Sequence, residues 1–490
     1  MIETQMDRDS HELSQFGYKQ ELKRALGLFS NFSVAFTYLS PVVGIYSLYA
    51  YGLQTGGPTF IWSIPIVVLG QLMVALVFSE LATTYPLSGA LYQWARRLLS
   101  PGYGWFVGWI YTWALLVTIA SVDFGGAPYV AAALGFSNPS QNTLILITVA
   151  LLVTQTLINL IGVNLLRQLA ILGTFMEFIG TVVIAVVLLF FHHQPDSVVF
   201  STGGVQGNAA YLPLFVLASL FSAWIFFGFE SAGDVAEEVV DPRRKVPKAM
   251  ILTLIVGGIV SFLLTYALLV STPDMGLAMD GTKTPDPVTY ILTSNLGDTV
   301  GRMFLWIIIL AYLSCGASIQ AATTRVIYSY ARDRVLPGYR LWSYISPTHQ
   351  TPRNALVLSA ILAFLFCLSA KVESILTSFA VEGIYLAFQL VMLAALIARL
   401  KGWKPQGYFN LGVWAWPVNI LGLIYGIAMM INVARPINWS LPWYLNYDVL
   451  LSTAGVIVVG AVVYLTQRKA LRQVHAPLIT TGQPGHDTMR

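Results

Sequence analysis

Apolar residues fill long windows of this sequence, and short polar segments separate one window from the next. A window of about 20 apolar residues is long enough to cross the hydrocarbon core of a bilayer as one helix. The pattern predicts twelve transmembrane helices, at residues 28–53, 58–83, 104–130, 142–162, 168–192, 211–237, 249–271, 300–330, 355–370, 375–399, 412–433 and 447–466. We therefore predict an all-α polytopic membrane protein.

The composition and the placement of basic residues agree with this prediction. Of the 490 residues, 56% are hydrophobic and 10% are charged, whereas about a quarter of the residues in soluble domains are charged. Twelve helices place all lysines and arginines on one side of the membrane except Lys283, Arg302, Lys371 and Arg435. The positive-inside rule makes that side the cytoplasm, so both termini are predicted to be cytoplasmic, in a plasma or inner cell membrane. The net charge of +4 follows from this orientation and does not indicate a nucleic-acid partner.

The predicted sixth helix contains a carboxylate within its apolar window. A charge at the depth of Glu230 is costly unless it faces a cavity or a partner, so such a residue is by default functional. Gly228 beside it weakens the helix and favours a break at this depth. Asp234 and Glu238 follow at four-residue spacing, so a regular second half-helix would place them on one face with Glu230, along the inner pathway. The alternative is a structural carboxylate that is protonated or paired.

The predicted first helix is also interrupted. Pro41 removes a backbone donor and Gly44 relaxes the backbone, so amides and carbonyls should become free in the middle of this span. A simple proline kink is the alternative. Two interrupted helices that lie five spans apart are typical of a transporter built from five-plus-five inverted repeats, with the solute held between the broken segments.

Motifs at the helix ends carry a resemblance to a known family. They are Glu80-x-x-x-x-Tyr85-Pro86-x-Ser88-Gly89-x-x-Tyr92, Gly228-Phe229-Glu230 with Ala236-Glu237-Glu238 and Asp241-Pro242-Arg243, and Thr324-Arg325-x-x-Tyr328-x-x-Ala331-Arg332-Asp333. Together they resemble the amino acid-polyamine-organocation (APC) permeases. Phe409-Asn410-Leu411-Gly412, Pro417-Val418-Asn419-Ile420 and Asn446-Tyr447 are similar, more narrowly, to the amino acid/choline transporter subgroup, which includes GABA permeases. The resemblance covers roughly residues 25 to 468.

This resemblance implies a LeuT-like fold and secondary active transport. It implies a ten-helix transport core at 25–400 and two additional helices at 401–468, with cytoplasmic tails at 1–24 and 469–490. It also implies a substrate site at the two helix breaks, formed by Ser40, Pro41, Val43, Gly44, Phe227, Gly228, Phe229 and Glu230. Half-helix termini support this independently, because their N-terminal ends attract carboxylates and their C-terminal ends attract cations.

Two further acids lie in predicted spans. By analogy with arginine/agmatine exchangers of the superfamily, Asp123 in the third span would meet the cationic end of a substrate; a solvated residue at the outer rim is the alternative. Glu177 in the fifth span lands close to the position where proton-coupled relatives carry a lysine. A carboxylate there could take up a proton or ligate a cation, so Glu177 is the candidate coupling residue, and structural pairing is the alternative.

Charged residues at the predicted cytoplasmic ends could form a gate. Charge pairing among Glu237, Arg243, Arg325 and Arg332 would close the inner pathway, although a solvated loop cluster is equally consistent with the sequence. The eighth and tenth spans could complete the pocket through Ser318, Thr323, Thr324, Ser378, Glu382, Tyr385 and Gln389. Cys315 and Cys367 are predicted to be packing residues, without a disulfide or a metal site.

These features predict a permease for amino acids or related amines, coupled to protons or exchanging solutes, with sodium coupling left open. Choline or a polyamine is the alternative substrate, because Asp123, Glu177 and Glu230 favour cations. Cation-aromatic contacts could come from the rings of Tyr38, Phe226, Phe227 and Phe229. An ion channel is less consistent with two broken helices. The sequence contains no phosphate-binding P-loop and no catalytic nucleophile or metal motif, so we expect neither an enzyme nor a cofactor.

Overall fold

The structure is a computed structural model, and it describes residues 2–136, 139–207, 210–368, 373–436 and 442–473. Over these ranges the backbone forms helices and loops, with one isolated bridge between Leu26 and Val239 and no strand. The helices are α1 (Ile2–Gln15), α2 (Leu28–Leu39), α3 (Pro41–Gly56), α4 (Ser63–Thr84), α5 (Ala90–Leu98), α6 (Pro101–Ala133), α7 (Gln141–Ile161), α8 (Val163–Phe178), α9 (Ile184–Leu188), α10 (Leu212–Ala218), α11 (Leu220–Ile225), α12 (Ser231–Asp234), α13 (Pro242–Val270), α14 (Met275–Met279), α15 (Pro287–Arg332), α16 (Tyr339–Trp342), α17 (Arg353–Cys367), α18 (Glu373–Leu400), α19 (Ala415–Ala434), α20 (Trp443–Asn446) and α21 (Asp448–Gln473). Short 3-10 turns occupy Pro58–Trp62, Asp196–Phe200, Ala236–Glu238 and Gly412–Trp414, and a π-turn at Ile179–Val183 joins α8 to α9.

Ten helical segments of the described chain are long and apolar enough to cross a membrane. They are Leu28–Gly56, Pro58–Thr84, Pro101–Ala133, Gln141–Ile161, Val163–Leu188, Pro242–Val270, Thr299–Arg332, Ser378–Leu400, Gly412–Ala434 and Asp448–Gln467. Two shorter apolar helices, Leu212–Ile225 and Arg353–Cys367, coincide with the predicted sixth and ninth spans. The all-α polytopic architecture is thus confirmed, whereas the total of twelve spans and the division into core and additional helices stay predictions. The predicted C-terminal tail lies, from residue 474 onward, outside the described residues.

The first span breaks where the sequence predicts, between α2 and α3. Ser40 has φ 43° and ψ 87°, in the left-handed region, and Pro41 is the first residue of α3. Proline is well suited to that position because its missing N–H would have no partner in the first helical turn. Gly44 has a different role from the predicted one, since it lies inside α3. A Cβ atom at Gly44 would come within 2.3 Å of Ile225 Cγ1, so the glycine allows α3 and α11 to pack closely.

The sixth span breaks after Ile225, the last residue of α11. Gly228 adopts φ +104°, a backbone conformation that residues with a Cβ rarely adopt. The chain then forms the four-residue helix α12 and a 3-10 turn before α13. The second half-helix is therefore not regular, so the condition under which Glu230, Asp234 and Glu238 would share one face is not met.

The helices after the break pack against the rest of the bundle. Helix α18 packs against α6 and α19, and α19 also packs against α4. The Tyr385 hydroxyl lies 2.9 Å from that of Tyr425 on α19, and Gln389 lies against Gly426 of the same helix. Both side chains thus pack against α19, and their contribution to a central pocket stays a prediction.

Candidate transport site

A small cavity lies between the two broken helices. It measures about 10 Å³, room for roughly one water molecule. Its walls are Tyr38, Leu39, Val43, Gly44, Thr118, Val122, Trp224, Phe227, Cys315 and Ile319. Val43, Gly44 and Phe227 are therefore predicted site residues that line the cavity. Tyr38 was predicted only as an aromatic contact for a cationic substrate. The remaining lining residues were not predicted as binding residues, because the sequence shows where a helix breaks but not which neighbouring side chains face the break.

Aromatic rings enclose this cavity. The ring of Phe227 meets that of Tyr38 edge-on, with centroids 6.2 Å apart, and that of Trp224 edge-on at 5.5 Å. A Cβ at Gly228 would come within 2.7 Å of Tyr38 Cδ2. The glycine thus allows both the left-handed backbone at the break and the close approach of the tyrosine ring.

Glu177 holds the first break. Its carboxylate accepts a hydrogen bond from the Ser40 hydroxyl and another, at 2.9 Å, from the backbone N–H of Val42. The next two amides are also satisfied, since Val43 N–H donates to Ser40 Oγ at 3.2 Å and Gly44 N–H donates to the Ser40 carbonyl at 3.0 Å. Glu177 is fully buried, so the predicted coupling residue lies directly on the predicted break.

Glu230 and Asp234 share one hydroxyl group below the cavity. Glu230 Oε2 accepts from the Gly228 N–H at 2.8 Å. The Tyr111 hydroxyl lies 3.2 Å from Glu230 Oε1 and 2.7 Å from Asp234 Oδ2, and it has one hydrogen to donate. Among the described residues, Asp234 Oδ1 is buried without a hydrogen-bond partner. Glu230 does not line the small cavity, its carboxylate accepts from the amide of Gly228, and its contact with a substrate stays a prediction.

Other predicted site residues are turned away from the cavity. Phe229 packs against Phe78 and Phe388. Asp123 accepts a hydrogen bond from Gln155 Nε2 at 2.6 Å, is fully buried, and is not part of the cavity wall. The alternative of a solvated residue at the rim is wrong, because Asp123 is buried, and its contact with the cationic end of a substrate stays a prediction. Its depth was ambiguous from the sequence, and the rotation of α6 directs it toward α7.

Several buried acids of the spans have no basic partner in the described part of the chain. No ion pair in the described ranges involves the carboxylates Asp123, Glu177, Glu230 and Asp234, and all four are buried. Ionised groups in such surroundings are costly, so they need a proton, a cation or strong donors. The electrostatics of the site therefore favour positive charge.

Arginine–carboxylate pairs seal one end of the bundle. The pairs are Glu238–Arg325, Glu237–Arg332 and Arg96–Asp333, and we call this end the basic end. Arg332 binds Glu237 through two bonds of 2.7 and 2.8 Å, and Arg325 binds Glu238 Oε1 at 2.7 and 3.0 Å. Such charge-assisted bonds are stronger than neutral ones.

The predicted gate residues are distributed differently from the prediction. Glu237 and Arg325 both belong to the sealed cluster but do not pair with each other. Arg243 lies outside it, because its guanidinium binds Glu12 of α1 at 3.0 Å. The Ser88 N–H donates to Glu237 Oε1 at 3.0 Å, which attaches the Ser88-Gly89 motif to the same cluster.

The N-terminal segment, predicted as a tail, covers the basic end. The N–H groups of Ala25 and Leu26 donate to the Glu238 carbonyl, each at 2.9 Å. The Tyr18 hydroxyl donates to Asp333 Oδ1 at 2.8 Å, and burial raises the pKa of Tyr18, so this donor stays protonated. The polar composition of the segment predicted solvent exposure, whereas its polar groups satisfy the backbone after the sixth break.

A larger cavity lies at the opposite end of the bundle. This vestibule has a volume of about 600 Å³ and is bounded by the second halves of α3 and α6 and by the start of α15. Trp224 lines both the vestibule and the central cavity and separates them. Buried arginine–carboxylate pairs thus lie at the basic end, and the vestibule lies at the other.

Comparison with known proteins agrees with this architecture. A family model described as "Amino acid permease" matches residues 26–461. Amino-acid permease BAT1 of Arabidopsis thaliana is 24% identical over 485 residues, which cover 93% of each chain. The GABA-specific permease of Saccharomyces cerevisiae is 25% identical over 498 residues, covering 96% of this chain and 86% of its own. A putative polyamine transporter of Candida albicans is 26% identical over 496 residues, covering 92% of this chain and 88% of its own. The resemblance in the motifs is confirmed, and this chain belongs to the amino acid permease family.

Proposed function

We propose that this permease carries an ammonium-bearing solute, an amino acid or a related amine, across a cell membrane by alternating access, coupled to protons or to solute exchange. The observation that carries the proposal is the pair of helix breaks around one small cavity, with buried carboxylates that lack basic partners. The names of the relatives, which include amino-acid permease, GABA-specific permease and putative polyamine transporter, support solutes of this kind.

The site is suited to a cationic group for two reasons. The rings of Tyr38, Trp224 and Phe227 offer faces and edges to the cavity, and aromatic faces attract ammonium groups. Glu230 and Asp234 lie below it and share the hydroxyl of Tyr111. Choline or a polyamine, the alternative substrates, would use the same features.

Alternating access follows from the two ends of the bundle. The basic end is sealed by the arginine pairs and by the N-terminal segment, and we place it in the cytoplasm because of the distribution of lysine and arginine. The vestibule then faces outward, and Trp224 is the barrier between it and the cavity. Opening toward the cytoplasm requires separation of the Glu238–Arg325 and Glu237–Arg332 pairs.

Glu177 supports a means of coupling this cycle to protons. Its carboxylate accepts from both Ser40 and Val42, so a proton on it would remove negative charge and one acceptor site from the first break. The hydrogen bonds from Ser40 and Val42 to Glu177 would weaken, and the two half-helices could rearrange. The Glu230–Asp234 pair, with one shared donor, is a second place where a proton would relieve repulsion between carboxylates. Sodium at Glu177 is the alternative coupling ion.

Transport itself is tested by counterflow of labelled amino acids and amines in proteoliposomes, with Glu230→Gln as the diagnostic variant. The amide keeps the size of the side chain but removes the charge that holds Gly228 N–H, so we expect initial uptake to fall about tenfold or more, as for loss of a hydrogen bond to a charged group. Glu382→Gln, a buried acid on α18, is the matched control and should transport within about twofold of the parent protein. Unchanged uptake in Glu230→Gln at equal expression would assign Glu230 a structural role.

Proton coupling is tested with Glu177→Gln. A glutamine cannot titrate, so the dependence of uptake on external pH should flatten, while counterflow at equal pH on both sides persists. The measurement is initial uptake into liposomes across imposed pH gradients, with Glu382→Gln again as the control. A pH profile identical to that of the parent protein would exclude Glu177 from coupling.

The seal at the basic end is tested with the native cysteine of the cavity. Cys315 lines the cavity and is buried, and a Cys367→Ser background leaves it as the single thiol. Arg325→Ala leaves Glu238 buried and unpaired, which costs roughly 3–5 kcal/mol in the sealed state. We expect a membrane-impermeant thiol reagent, applied from the side of the basic end, to label Cys315 at least about tenfold faster in the Arg325→Ala variant than in the Cys367→Ser background.

Arg243→Ala is the matched control for this labelling, because Arg243 pairs with Glu12 at the partly exposed surface. It should leave the labelling rate close to that of the background. Equal labelling of Cys315 with and without Arg325 would show that the pair does not close the pathway. If Arg325→Ala speeds the labelling of Cys315 only from the extracellular side, the basic end faces outward and the proposed orientation is wrong.

A further inference from the structure

The backbone amides at the first helix break already have partners inside the protein. Pro41 has no N–H, Val42 N–H donates to Glu177 Oε2 at 2.9 Å, and Val43 N–H donates to Ser40 Oγ at 3.2 Å. Gly44 N–H donates to the Ser40 carbonyl at 3.0 Å. The start of the sixteen-residue helix α3, where a solute carboxylate would find free donors, is thus occupied by the carboxylate of Glu177.

At the sixth break, two backbone amides also have partners inside the protein. Gly228 N–H donates to Glu230 Oε2 at 2.8 Å, and Ser231 N–H donates to the Gly228 carbonyl at 3.1 Å. No lysine, arginine or histidine is present among the described residues that line the central cavity. At the first break a solute carboxylate would therefore have to displace the carboxylate of Glu177 from the Val42 N–H, and at either break it would meet no basic side chain of the cavity wall.

A buried acceptor without a donor lies within electrostatic reach of Tyr38, a residue of the cavity wall. Asp234 Oδ1 is buried and has no hydrogen-bond partner in the described part of the chain. The Tyr38 hydroxyl is also buried without a partner there, and it interacts electrostatically with Glu230 and Asp234. The ring of Tyr38 lines the cavity. An ammonium group supplies donors and no acceptor, which matches the unsatisfied carboxylate oxygen.

From these contacts we infer that the central site selects amines that lack a carboxylate, and that Glu177 takes the place that a substrate carboxylate would otherwise occupy. The inference rests on the proposed transport function and narrows its substrate class. It makes Glu177 a specificity-determining residue through its bonds to Ser40 and Val42, in addition to any role in coupling.

The test uses pairs of solutes that differ by one carboxylate: putrescine and ornithine, cadaverine and lysine, agmatine and arginine. The purified full chain is reconstituted in liposomes, and each compound is scored by counterflow and by competition for the uptake of the best substrate. We expect the amine of each pair to compete about tenfold better than its amino acid, or more. Thermal stabilisation of the detergent-purified protein by each compound gives an independent measure of binding.

Glu177→Ala shows whether Glu177 sets this preference. The substitution frees the Ser40 hydroxyl and the Val42 N–H for a solute carboxylate, so the ratio of amine to amino acid affinity should fall about tenfold. Glu382→Ala removes a buried acid that is not part of the cavity wall and should leave the ratio unchanged. Glu177→Gln, which keeps one acceptor at the break, should give an intermediate ratio and serves if the alanine variant does not fold.

The outcomes separate this inference from the proposed function. If amino acids are transported as well as the matched amines, or if the ratio is the same in the Glu177 variants and the parent protein, the inference is overturned and the transport function stands. If none of the six compounds produces counterflow or thermal stabilisation, this substrate assignment fails. Counterflow with other amino acids would then still establish the transport function.

Discussion

Hydrogen bonds from backbone amides to two buried carboxylates are the constraint on which the rest of this structure depends. A helix that breaks within a bilayer leaves donors and acceptors that lipid cannot satisfy, so the protein must supply partners itself. Glu177 supplies them at the first break and Glu230 at the sixth. Because these bonds fix the two breaks, the residues around them can enclose a small cavity and retain enough freedom to rearrange.

Two groups of buried acids in this protein have different partners. At the basic end, Glu237 and Glu238 are paired with arginines, and these pairs close the bundle together with the N-terminal segment. Around the cavity, Glu177, Glu230 and Asp234 pair with no base in the described residues. Paired acids hold a conformation, whereas unpaired acids near a cavity attract a proton or a cationic solute. The acids that can bind a proton or a cationic solute therefore lie at the centre of the bundle, and the arginine-paired acids lie at the basic end.

Much of the architecture could be predicted from the sequence because hydrophobic length and helix-breaking residues act locally. The apolar windows located the spans, and Pro41 and Gly228 located the breaks to within a residue or two. The partners of Glu230 and Asp123 could not be predicted in this way. Periodicity gives the face of a helix on which a residue lies, but the neighbouring helix and the backbone rotation decide whether that face meets a cavity, Tyr111 or Gln155.

The N-terminal segment shows a second limit of sequence reasoning. Its polar composition is typical of a solvated tail, yet Ala25 and Leu26 complete the hydrogen bonding of the chain after the sixth break. That contact depends on backbone groups, which leave no mark in the sequence. Gly44 is a similar case, since its importance comes from the approach of Ile225 on a distant helix.

The most direct test of this account is an electron cryomicroscopy structure of the permease in lipid nanodiscs with a transported solute bound. The account predicts density for the solute between Tyr38, Trp224 and Phe227, both helices broken at Ser40 and Gly228, and the Glu177 carboxylate still on the amide of Val42. Continuous helices through either position, or a solute bound elsewhere with the cavity between the breaks empty, would contradict it.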